Sequence, residues 1–274
     1  MQMHAEVAGG AREEVRSVWN DELEIHVQVA GSGPPLVFLH AAGGLRWGEF
    51  LDRLAESYTV YAPQLPGTHP SDPHAIHKVE TFADLLLMYE ELVRALGVAG
   101  APVIGESFGG MIAADLSAHF PALFSKLVLL APAGLWLDDH PPRVFELTAA
   151  KPEEVPAYLF ANPDSDVAKA FFALPEDPEL IPGIVAALVW AQGCSGKFLW
   201  PFPDQGAAKR LHRVTAPTLI VFGSEDRVMP AIYGEEYARR IAGSRLEIFE
   251  GCGHIPHVEE LERTLELVSS FLSA

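Results

Sequence analysis

The segment Gly105-Glu106-Ser107-Phe108-Gly109 constrains this chain more than any other. It lies between a short apolar run, Ala101 to Ile104, and a helix-like segment, Phe108 to His119. A serine hydroxyl is a weak nucleophile at neutral pH and works only when a tight turn holds it where a base can reach it. Glycines at 105 and 109 let the strand and the following helix approach closely, and Gly110 removes a third side chain from the same corner. The spacing therefore predicts strand, sharp turn and helix, with Ser107 presented at the turn.

The remaining pattern supplies a sheet for that turn. Leu36 to Leu39, Tyr58 to Tyr61, Pro102 to Ile104, Lys126 to Leu130, Thr218 to Phe222 and Leu246 to Phe249 read as short buried strands. Between them Phe82 to Leu96 repeats apolar residues at a helical period and stops at Gly97. Met111 to His119, Tyr233 to Ile241 and Glu259 to Leu272 read as further helices. Short apolar strands alternating with helices predict an α/β fold, a mostly parallel sheet with helices on both faces. Glu24 to Ala30 alternates more cleanly and is expected as an antiparallel edge strand, with residues 1–17 a flexible tail ahead of it.

Residues 134–206 break the rhythm. Ten prolines fall in these 73 residues, too many for a parallel sheet, and helical pieces such as Val155 to Phe160 and Ile184 to Gln192 lie between them. With Phe171, Phe172, Trp190, Phe198 and Trp200, this stretch reads as a helical lid inserted into a core formed by residues 1–133 and 207–274. Phe172 and Trp190 are the candidate substrate-binding side chains.

Charge and cysteine content narrow the partners. The chain carries 19 Lys and Arg against 37 Asp and Glu, a formal net charge of −18, which leaves no basic stripe for nucleic acid or an anionic membrane. No run approaches the ~18 consecutive apolar residues of a membrane span. Met1 to Arg16 shows no basic region followed by an apolar one, so a cytoplasmic setting is the default expectation. Cys194 and Cys252 fit no metal spacing and are expected as free thiols. His69, His74 and His77 read as solvated loop histidines, and no metal or organic cofactor is expected.

A serine nucleophile needs a base, and the base needs a carboxylate. Asp226 follows the strand Thr218 to Phe222, and His254 follows Leu246 to Phe249. Both lie at the carboxyl ends of strands, as Ser107 does, and in open α/β sheets those ends build the site. Glu225, Asp138 and Asp139 are alternative acids. The negative oxygen of an acyl-transfer intermediate needs two backbone N–H donors. Phe108, directly after the serine, is one candidate; Ala42, with Ala41 as its near alternative, is the other.

Five motifs in order carry a resemblance: His40-Ala41-Ala42-Gly43-Gly44, Ala62-Pro63-Gln64-Leu65-Pro66-Gly67, Gly105 to Gly110, Gly223 to Pro230, and Gly253 to Glu259. On these the chain resembles the α/β-hydrolase superfamily from about Val18 to Leu272. The resemblance implies a triad of Ser107, Asp226 and His254, an oxyanion hole of Ala42 and Phe108, and a serine esterase acting on small to medium acyl or aryl esters. Ala41 and Gln64 depart from the glycine and aspartate usual at those positions. Ser107 at the elbow argues against relatives that open epoxides or displace halides through an aspartate, and Phe108 against perhydrolases with methionine there. Hydrolases that cleave carbon–carbon bonds of ring-cleavage diketo acids are similar in lid and triad order, although they tend to have an aromatic residue where Ile255 stands. A catalytically silent ligand-binding member of the fold is a third reading, and a homodimer is compatible with all three.

Overall fold

Alternation within each apolar run divides its side chains between two cores. Leu36, Phe38, Ile104, Val128, Leu130, Leu219 and Val221 pack in one cluster, and their neighbours Val37, Leu39, Val103, Leu127, Leu129, Ile220 and Phe222 in the other. A strand apolar on both faces has to lie in the middle of three layers. The protein, described here by a computed structural model over residues 10–200 and 203–274, is built that way.

The chain runs β1 (Arg12–Val18), β2 (Leu23–Ala30), β3 (Pro35–Leu39), α1 (Glu49–Ala55), β4 (Thr59–Pro63), α2 (Phe82–Ala95), β5 (Val103–Glu106), α3 (Phe108–His119) and β6 (Leu127–Leu130). An inserted segment follows, with α4 (Val144–Ala149), α5 (Val155–Leu159), α6 (Asp166–Phe171) and α7 (Ile181–Leu199). The chain then completes the sheet with β7 (Thr218–Gly223), α8 (Ile232–Arg240), β8 (Arg245–Phe249), α9 (Pro256–Glu259) and α10 (Leu261–Ser273). Sheet order is β1-β2-β4-β3-β5-β6-β7-β8. Pairing is antiparallel through β1, β2 and β4 and parallel from β4 onward. Helices α1 and α10 cover one face, with Phe50, Leu54 and Val268 in its core. Helices α2, α3 and α8 cover the other, with Leu85, Met111 and Tyr237. At the start of α2 the Thr81 hydroxyl accepts the Asp84 N–H while the Asp84 carboxylate accepts the Thr81 N–H, closing a capping box.

The amino-terminal expectation needs correction. Residues 12–17 are not a tail: Arg12–Val18 pairs residue for residue with β2 and forms the outermost strand, which makes β2 an interior strand rather than the edge. Charged residues on β1 concealed it, and charge is how sheets protect an exposed edge. Residues 1–9 of the expected tail lie outside the described residues. Among the described residues no helix is long and apolar enough to cross a membrane. Cys194 and Cys252 are both buried free thiols.

Candidate active site

Ser107 occupies the turn between β5 and α3 with φ 49° and ψ −110°, a conformation that L-residues seldom adopt. Holding a non-glycine residue there costs about 1–3 kcal/mol, so the surroundings must fix it. They do: the Ser107 N–H donates to the Leu130 carbonyl at 2.9 Å, and the Ser107 carbonyl accepts from Met111 at 3.1 Å and Ala133 at 2.9 Å. Close packing completes the corner. A Cβ added to Gly109 would lie 2.0 Å from the Leu39 carbonyl oxygen, and one on Gly105 would lie 2.5 Å from the Gly109 oxygen. Backbone cannot yield as a side-chain tip can, so Gly109→Ala should destabilise the protein by about 3 kcal/mol or more. Gly193, inside α7 with open space for 4 Å around an added Cβ, is the control; its alanine variant should be about 0.5–1 kcal/mol more stable. Thermal melts of the two variants check both signs.

The structure brings the three sequence-predicted side chains together. His254 Nε2 lies 3.1 Å from Ser107 Oγ, and His254 Nδ1 lies 2.8 Å from Asp226 Oδ2. The other carboxylate oxygen, Oδ1, accepts the N–H groups of Val228 and Met229, both at 2.8 Å. Asp226 is thus fixed by its own turn and its free oxygen is aimed at the imidazole. Of the alternative acids, Glu225 and both Asp138 and Asp139 are exposed, and Asp138 accepts the Trp136 indole N–H. Burial opposes charge on His254, but the Asp226 charge and hydrogen bond, with Glu106 adding, outweigh it and raise its pKa above the ordinary 6.5. An imidazole held this way can take the Ser107 proton through Nε2 while Nδ1–H stays with Asp226.

The proposed oxyanion donors are less direct to read from sequence. Among the described residues, no group accepts the N–H of Ala42 or of Phe108. The peptide that carries the Ala42 N–H is braced by His40, whose Nδ1 lies 2.7 Å from the Ala41 carbonyl oxygen while its Nε2 accepts the Leu65 N–H at 3.1 Å. Burial pushes the His40 pKa below 6.5 against the opposing Ala41 contact and Glu106, which keeps the ring neutral and able to both donate and accept. From above, the Ser195 hydroxyl on α7 donates toward the Ala42 carbonyl at 3.0 Å. Sequence reading assigned neither His40 nor Ser195 a role. It also passed over Glu106 and His257: His257 Nε2 is 3.7 Å from Oε2 of Glu106, the residue before Ser107, and among the described residues the buried His257 Nδ1 has no hydrogen-bond partner. Only the sequence position of Glu106, inside the elbow, signalled it.

The inserted segment is tied to the same loops. The His254 N–H donates to the Leu159 carbonyl at 2.8 Å, and the Arg227 guanidinium donates to the Ala157 carbonyl at 2.7 Å. Glu259 accepts from both Gly253 at 2.7 Å and Ala161 at 3.0 Å. Phe160 shares a small buried cluster with Ile255, the residue after His254, and Phe171 and Phe172 pack edge-on against Phe160. Phe198 stacks on Phe108. Helix α7 passes over the loop after β3, where Leu188 Cδ1 would meet a Cβ on Gly43 at 3.3 Å. Trp190 sits elsewhere than Phe172: its indole N–H donates to the Gly67 carbonyl at 2.9 Å and the Pro73 carbonyl at 3.2 Å. Trp200 meets Phe145 edge-on and stays 63% exposed, so not all five aromatics expected to cover a site are buried.

A family model described as the alpha/beta hydrolase family matches residues 36–267. The chain belongs to that family. The 2-hydroxy-6-oxo-6-phenylhexa-2,4-dienoate hydrolase of Comamonas testosteroni is 26% identical, over 90% of this chain and 91% of its own. Among solved structures, a membrane phospholipase A described as a bacterial virulence factor matches with a TM-score of 0.77 at 24% identity, over 96% of this chain and 86% of its own. The carboxylesterase CesB of Bacillus subtilis matches at 0.73 and 22% identity, over 97% of this chain and 92% of its own.

Proposed function

We propose that this protein is a serine hydrolase that cleaves carboxylic esters of small to medium acyl or aryl groups through an acyl-enzyme, with the inserted segment as a lid over the site. The observation that carries the reading is the continuous relay Asp226–His254–Ser107, at 2.8 and 3.1 Å, on a strained elbow. His254 Nε2 takes the Ser107 proton as Oγ attacks the acyl carbon. The oxyanion is received by the N–H groups of Phe108 and Ala42. His254 then gives its proton to the departing alcohol, and a water molecule, deprotonated by the same nitrogen, releases the acid and restores the serine. No step passes through a metal or cofactor.

Carbon–carbon bond hydrolysis of vinylogous diketo acids is the second reading, favoured by the name and coverage of the Comamonas relative. Ile255, an aliphatic residue buried in the cluster against which Phe172 packs, weighs against it. A panel of p-nitrophenyl esters of increasing acyl length, run beside one vinylogous diketo acid, decides between them. Turnover of short esters with none of the diketo acid is the expected result. Turnover of the diketo acid alone overturns the ester reading, and turnover of neither points to a silent binding member.

Two further outcomes follow from the geometry. Because only neutral imidazole accepts a proton and the His254 pKa is raised, kcat/KM should climb through an ascending limb centred above pH 6.5. Glu106→Gln removes one of the charges that raise it, so the limb should move to lower pH; a limb that stays in place excludes Glu106 as an influence on the base. Phe172→Ala should reorder the ester panel more than it lowers Tm, since Phe172 packs at the Ile255 side of the site, whereas Trp190→Ala acts through the loop carrying Gly67 and Pro73.

A further inference from the structure

Three side chains far apart in sequence meet on the sheet edge that the amino-terminal strand creates. Val15 of β1 pairs with His26 of β2, so Glu13, two residues before Val15, is a diagonal neighbour of His26 on the same face. The loop after β4 starts beside His26, where the Gln64 N–H donates to the His26 carbonyl at 2.8 Å, and it brings in His69. His69 therefore does not sit as a solvated loop histidine with His74 and His77. Those two stack on each other at 5.8 Å, while the His69 ring stacks on His26 at 3.5 Å.

The donor atoms converge. Glu13 Oε1 is 3.1 Å from His26 Nδ1, and Glu13 Oε2 is 3.1 Å from His69 Nε2. One ligand atom from each of the three lies within 4.8 Å of the others. On the far side of the stacked rings a single hydroxyl serves both remaining nitrogens: Ser71 Oγ is 2.6 Å from His69 Nδ1 and 3.0 Å from His26 Nε2. The His side chains are 13% and 19% exposed and Glu13 37%, sheltered yet open to an ion from solvent.

We infer that Glu13, His26 and His69 form a binding site for one divalent d-block cation of the zinc type. Two imidazoles and a carboxylate are the borderline donor set such cations prefer, with water completing the coordination. The surrounding chemistry suits it. Without a cation, the ring nitrogen of each histidine that faces Glu13 can donate an N–H to one of its carboxylate oxygens. With a cation, both rings change tautomer, their N–H groups turn to Ser71, and Oγ accepts the two of them through its two lone pairs, while the Ser71 N–H gives up its 3.2 Å contact with His69 Nδ1. The rings, now within 10° of parallel, must splay so that their lone pairs meet. Burial, with the neighbouring His26 opposing Glu13, pushes the His69 pKa below 6.5, so protons compete weakly with a cation at neutral pH. Such an ion would fasten the loop of residues 64–78 to the sheet edge. That loop carries the Gly67 and Pro73 carbonyls on which Trp190 of α7 rests, so the clip supports the inserted segment from outside the triad.

The test is calorimetric titration of zinc chloride into the wild-type protein at pH 7.5, paired with thermal melts in zinc and in EDTA. One zinc per chain and a higher Tm with zinc are expected. His26→Ala and His69→Ala should each weaken binding by about tenfold or more, in the range that losing a ligand-shell group produces, with Glu13→Gln weaker than wild type and His74→Ala unchanged. Ser107 ester turnover should be the same in EDTA. Absence of saturable binding, or binding untouched in both His26→Ala and His69→Ala while those variants melt cooperatively, overturns the site; binding lost in His74→Ala reassigns it to the neighbouring pair.

Discussion

Ser107→Ala is expected to lower kcat for p-nitrophenyl acetate by about 10⁴–10⁶-fold while leaving the thermal melt almost unchanged. Activity and stability separate because of where the hydroxyl sits. Among the described residues its one hydrogen bond is to His254 Nε2, so its removal takes away the proposed nucleophile but exposes no buried apolar surface. Backbone strain does not change either, since alanine and serine meet the same steric penalty at φ 49°. The backbone bonds that fix the turn, to Leu130, Met111 and Ala133, use main-chain atoms alone. Near-wild-type turnover in this variant would remove Ser107 as nucleophile. A collapsed melt would show instead that the side chain supports the elbow.

Asp226→Asn should cost about 10⁴-fold in kcat, although the substitution is nearly isosteric. The reason lies in the turn that follows it. Val228 and Met229 N–H groups both converge on Oδ1 and hold an oxygen there, so the asparagine must present its amide NH₂ to His254 Nδ1. Facing a donor, Nδ1 becomes the acceptor and the ring proton moves to Nε2, opposite Ser107, where it cannot accept the serine proton. The pH dependence should change in the same variant. Asp226 is the foremost group raising the His254 pKa against burial, so its loss should move the ascending limb of any residual activity to lower pH. Glu225→Gln, altering an exposed carboxylate one position away, should leave both rate and profile as in wild type. If Glu225→Gln were the damaging change and Asp226→Asn the silent one, the acid would be misassigned.

Much of the framework was legible in the chain itself because it rests on local rules. Runs such as Leu127 to Leu130 are short and apolar enough to read as interior strands, and the helical period of α2 with its stop at Gly97 marks that helix without reference to the rest of the molecule. Gly105 and Gly109 announce the tight corner before any contact is known, and the order of Ser107, Asp226 and His254 follows from which residues end strands. Where a choice depended on distance, sequence fell short. Asp226 and Glu225 are adjacent and chemically alike, and only the turn to Met229 turns one toward His254 and leaves the other in solvent. The bracing of the Ala41–Ala42 peptide by His40, the contact of Ser195 with the Ala42 carbonyl, the approach of His257 to Glu106, and the meeting of Glu13, His26 and His69 join residues from different elements. Local periodicity determines what each segment becomes, because steric and hydrophobic preferences act within a few residues. Which side chains share a site was decided by the sheet order and the crossing of loops at its edge, where contacts between distant segments are set by packing that no single segment encodes.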